Sequence, residues 1–94
     1  MIVVNLQHIA PVAPMQVTPA VLQEVLSTAE DLLATTPESV MDEILEEWAI
    51  SLAWAAVTDS VPNSDWYLRA LLLTCCRGLR GESAPKFYFI GSAD

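Results

Sequence analysis

Three groups of residues in this chain are of types that could do chemistry: the acids of DEILEE (residues 42–47), the adjacent thiols Cys75 and Cys76, and a single histidine, His8. Crowded carboxylates could ligate a metal or share a proton. A di-metal helix bundle sets Glu-x-x-His on facing helices, but His8 lies in a segment that reads as a strand. A Ca²⁺ loop spaces its oxygen ligands around a glycine turn, whereas residues 42–47 read as helix and contain no glycine. General acid–base work needs a partner group in a cleft, and no spacing in the sequence supplies one. Metal and redox thiols are separated, as in C-x-x-C, and these two are adjacent. One histidine far from them in sequence is a weak basis for a thiol nucleophile. The residues therefore imply no catalytic group, no cofactor and no metal. Cys75 and Cys76 read as small hydrophobes of a helix, and His8 as a strand-end residue.

What remains is surface chemistry. The chain has 94 residues, 53% of them apolar and 17% charged, with a net charge of −8. No Lys or Arg precedes Arg69, so residues 1–68 carry −10, while Arg69, Arg77, Arg80 and Lys86 against Glu82 and Asp94 leave the remainder at +2. A field of this sign repels phosphates and argues against direct nucleic acid binding. It favours encounter with a basic surface, including the nucleic-acid-binding face of another protein. The plainer reading is that the charge keeps an apolar domain soluble, with the four cations pairing internally with the acidic helices. The apolar fraction is high for so small a body, which implies that some apolar surface is covered by a partner or a second copy.

Three helices must position these groups. Thr18 and Pro19 suit the N-cap and first position of a helix over residues 19–34. Its stripe is Leu22, Val25, Leu26, Ala29, Leu32 and Leu33. Thr36, Pro37 and Glu38 open a second helix, over 37–58, with Glu38 at the positive end of the helix dipole. Met41, Ile44, Leu45, Trp48, Leu52, Ala55 and Ala56 trace its inner stripe. Asp42, Glu43, Glu46 and Glu47 lie outside it, like charges that cost a few tenths of a kcal/mol per pair. From Trp48 to Val57 there is no charge, and apolar residues point in nearly every direction. Such a segment is expected at the centre of the fold or in an interface. Trp48 and Trp54 are six residues apart, so about 120° separates them around the axis. They cannot share one stripe, and Trp54 is the better candidate to face a partner.

Pro62 ends that helix, and Asn63 or Ser64 can cap a third, over 65–80. Trp66, Leu68, Leu71, Leu72, Cys75, Cys76 and Leu79 make its broad apolar face, and Gly81 stops it. Residues 2–9 (IVVNLQHI) read as a strand with Ile2, Val4, Leu6 and His8 on one face. Pro11, Pro14 and Pro19 make 10–18 an extended connector. Residues 86–90 (KFYFI) read as a short aromatic strand. The expected fold is α+β, a single compact domain over 1–94, with a three-helix core packed against a small sheet formed by the N-terminal and C-terminal strands. Counting helix reversals leans these strands toward parallel, unless the connector changes the parity.

The N-terminus lacks the basic region of a secretory signal, and ten uncharged residues are half a membrane span. A cytoplasmic protein with free thiols is expected. The functional expectation is a non-enzymatic protein–protein interaction module that docks on a basic surface of a partner, blocking or bridging it. Its candidate contacts are Glu38, Asp42, Glu43, Glu46, Glu47, Trp48 and Trp54. A structural subunit of a homo-oligomer, and a nucleic-acid-mimicking inhibitor of a nucleic-acid-binding enzyme, are the alternatives. The size, acidity and lack of active-site residues are of a kind met in accessory proteins of bacteriophages and mobile elements, though no motif carries a family resemblance.

Overall fold

The computed structural model of the chain describes residues 2–58 and 63–81, and the backbone of 87–89. Its elements run β1 (Ile2–Val4), β2 (Met15–Val17), α1 (Pro19–Thr35), α2 (Glu38–Thr58), α3 (Ser64–Leu79) and β3 (Phe87–Phe89). Three helices pack with a small antiparallel sheet, an α+β arrangement in which α1 and α2 each lie against α3.

The first strand stops after Val4, well short of residue 9. The Asn5 side chain accepts the backbone N–H of Gln7 at 3.0 Å, and such a local bond competes with the sheet ladder. The Leu6 carbonyl then accepts from Ile9 at 2.9 Å and Ala10 at 3.3 Å. This turn still contributes to the core, because Leu6, Ile9 and Ala10 are buried. His8, expected beside Ile2 and Val4, stands instead on the turn, exposed overall but with its ring partly shielded where it meets Thr74.

The connector, expected to form no element, supplies β2, which pairs with β1 from Ile2↔Val17 to Val4↔Met15. Pro14 and Pro19 bracket this three-residue strand and demand no ladder bond within it. The sheet order is β2–β1–β3, and β3 is antiparallel to β1 with Ile2 opposite Phe89. The parallel leaning is therefore corrected, and the reason is the extra strand. It adds one reversal before α1, so the chain reaches β3 travelling the other way. Residues 86 and 90 of the expected last strand lie outside the described residues.

Helix boundaries follow local chemistry. Thr18 caps α1, its hydroxyl accepting the Val21 N–H at 3.2 Å, with Pro19 following. At α2 the Pro37 carbonyl accepts from the Met41 N–H at 2.9 Å, so Pro37 flanks the helix and Glu38 opens it. Asn63 caps α3 by accepting the Trp66 N–H at 2.9 Å. Gly81 ends α3 with φ of 78°, a left-handed conformation that glycine adopts without steric cost.

The core centres on α3, so the second half of α2 does not take the first of the two places its composition allowed, the centre of the fold. Trp66, Ala70, Leu71, Leu73, Thr74, Cys75 and Cys76 are all sealed in α3, against Met41, Leu45 and Leu52 in the longer α2. Two fasteners join this pair at opposite ends. Trp66 Nε1 donates to the Leu52 carbonyl at 2.8 Å. Arg80, beyond the other end of α3, reaches Asp42 and Glu38 near the start of α2. Leu68 and Leu79, expected in the α3 face, are exposed, while Ala70, Leu73 and Thr74 take their places inside.

Candidate interaction surface

An α-helix turns about 100° per residue. Measured that way, Met41, Leu45 and Leu52 fix the inward side of α2, and the opposite side is a line of Glu43, Glu47, Ile50, Trp54 and Val57. All five are exposed, with Glu46 and the half-buried Ala53 flanking them. The line changes character at its midpoint. Its first half is anionic, and its second half is apolar, Ile50, Trp54 and Val57 being 55%, 65% and 74% exposed.

The seven residues expected to form the contact surface fall into three groups. Glu38 and Asp42 serve the fold: the Arg80 guanidinium pairs with Asp42 and lies 3.9 Å from Glu38. The Arg80 side chain is only 17% exposed, so this cation is committed to holding α2 on α3. Glu43, Glu46 and Glu47 form the second group, with no ion pair among the described residues. They stand beyond the first turn, where the helix dipole no longer favours an acid. Trp54 belongs with them on the outward line. Trp48 forms the third group alone, half-buried and packed against the core.

Among the described residues, the other cations form no ion pair with these glutamates. Arg69 pairs with Asp65 of its own helix at 3.1 Å, both side chains being exposed. Arg77 lies near enough to His8 to disfavour its protonation. Lys86 lies outside the described residues. Internal neutralisation thus accounts for Asp42 and Glu38 and stops there, among the described residues.

Ile50 and Val57 were not singled out from sequence as contacts. The signal was available in the spacing: 43, 47, 50, 54 and 57 alternate by four and three residues, as a helix contact line does. Exposed Trp54 is the costly member. Covering its outward surface would release on the order of 3 kcal/mol of apolar hydration.

Comparison with protein-family models, curated proteins and solved structures finds no match to this chain.

The remaining reactive groups are chemically quiet. Burial pushes the Cys75 thiol up to about 12, with the neighbouring Cys76 adding to the effect. Burial also raises Cys76, partly countered by Arg80. Both are free thiols and remain protonated at neutral pH, the form that is a poor nucleophile and ligand. His8 Nε2 lies 3.4 Å from the hydroxyl of Thr74. Among the described residues, no three His, Cys, Asp or Glu side chains group as a metal site, and no helix is long and apolar enough to cross a membrane. A shallow apolar groove between α1 and α3, lined by Val21, Val25, Leu68 and Leu72, has Glu24 and Arg69 at its rim. Its two opposite charges favour neither sign of partner.

Proposed function

We propose that this chain is a non-enzymatic protein–protein interaction module whose α2 docks on a basic surface of another protein. The observation that carries the reading is the outward side of α2, where Glu43, Glu46 and Glu47, with no ion pair among the described residues, run directly into exposed Ile50, Trp54 and Val57. Each half of the line costs the isolated protein something. Glu43 and Glu47 repel across one helical turn, and Trp54 stands largely in water. A basic surface with an adjoining apolar patch relieves both costs at once. Charge would guide the encounter, and the tryptophan would anchor the complex. Two buried, free thiols suit a cytoplasmic setting for such a module.

The test is retention of partners by the immobilised chain at about 50 and 300 mM salt. It compares the wild type with E43Q/E46Q/E47Q and with Trp54→Ala. Proteins held by the wild type at low salt should be lost from both variants, and lost from the wild type as salt rises. Retention of the same proteins by all three chains, at either salt, would remove the reading.

The exposed Ile50, Trp54 and Val57, with half-buried Ala53 among them, also favour a second reading, a homo-oligomer closed through this face. Sedimentation at micromolar concentration separates the two, since a monomer leaves only the first.

A further inference from the structure

We propose that the occupant of the outward face of α2 is a helix of the partner protein, laid lengthwise along it, with Lys or Arg on one half of its contact stripe and large apolar residues on the other. The proposal rests on the reading of this face as a docking surface and specifies what fills it.

The spacing is the first argument. Glu43, Glu47, Ile50, Trp54 and Val57 advance by four, three, four and three residues, the repeat by which one helix meets another along its length. From Glu43 to Val57 the line extends about 21 Å at 1.5 Å per residue, enough for four turns of a facing helix. Ser51 and Ala53, on either side of Trp54, are small, so along the apolar half a second helix can approach to ordinary packing distance.

Charge is the second argument, and it selects the partner over a second copy. Residues 1–68 contain no Lys or Arg, so nothing on α2 of another copy can satisfy Glu43, Glu46 and Glu47. A parallel self-pair stacks those three acids on their own equivalents. An antiparallel self-pair centred on Trp54 avoids that clash, but it confines the contact to residues 50–57. So short a patch leaves Glu43, Glu46 and Glu47 uncovered. A basic-and-apolar helix uses the whole line. Its cations lie over residues 43–47, and its apolar half covers Ile50, Trp54 and Val57.

Three synthetic peptides of equal composition test this by fluorescence anisotropy against the full chain. One carries its Lys residues in the first two heptads and its Leu residues in the last. The second reverses that order, and the third scrambles the residues so that no stripe forms. One segregated peptide should bind at least tenfold more tightly than the scrambled one. Binding should weaken at least tenfold in Trp54→Ala and in E43Q/E46Q/E47Q, both of which should melt within a few degrees of the wild type. Equal binding of all three peptides, lost in the glutamate variant and unaffected by Trp54→Ala, overturns the helical occupant and leaves charge-guided docking standing. No binding of any peptide, together with partner retention indifferent to the glutamates, overturns both. A dimer in sedimentation that Trp54→Ala converts to monomer assigns the face to a second copy and also overturns the proposal.

Discussion

Helices α2 and α3 lie side by side, and the more apolar of the two is the more exposed. Helix α2 has the higher mean hydropathy, yet it seals three of its 21 residues, whereas α3 seals seven of 16. The difference is position: α3 has both other helices against it. Composition states how much apolar surface an element carries, and neighbours decide how much of it disappears. Where the first exceeds the second, as along Ile50, Trp54 and Val57, the surplus is what a partner can use.

That contrast can be broken by substitution. Leu71→Ala, at a fully buried position in α3, should cost about 2–5 kcal/mol, whereas Trp54→Ala, removing a far larger side chain, should stay within about 0.5 kcal/mol. Urea denaturation measures both, and comparable losses would mean that α2 is buried on a side it leaves open here. Trp66→Phe sharpens the contrast at the fastener between the helices. It removes the N–H donated to the Leu52 carbonyl and part of a buried ring, and should cost about 1–2 kcal/mol.

The smallest expected effect concerns His8, on the turn against α3. Burial first, and Arg77 second, lower its pKa from the usual 6.5, while the Asn5 backbone pulls the other way. The folded state thus prefers the neutral ring, and the unfolded chain binds the proton more readily. The corresponding stability is fully present above pH 6.5 and is lost as pH falls through the lower folded value. Melting the wild type and His8→Asn between pH 7.5 and 5 should show a shallow acid-side loss that the variant lacks.

Much of this architecture was legible in local chemistry. Thr18, Pro19, Asn63 and Gly81 announce helix ends whatever surrounds them, because capping is settled within four residues. Strand β2 was not legible: Met15, Gln16 and Val17 sit among prolines and acquire strand character only by pairing with β1. Its omission also misdirected the parity count for β3. Within the candidate surface, the separation of Trp54 from Trp48 follows from helical geometry alone. The division of the acids does not, because it depends on Arg80 arriving from another helix to engage Asp42 and Glu38 while Glu43, Glu46 and Glu47 stay beyond its reach.

The sheet order has a consequence for how the protein is made. Ile2 faces Val17 on one side and Phe89 on the other, so β1 is completed by a strand that follows all three helices. On the ribosome, β1 and β2 can close as a hairpin early, but the other edge of β1 must wait while three helices emerge. Joining residues so distant along the chain makes the last pairing a slow, entropically demanding step. Until then that edge can recruit an extended segment from any neighbouring chain.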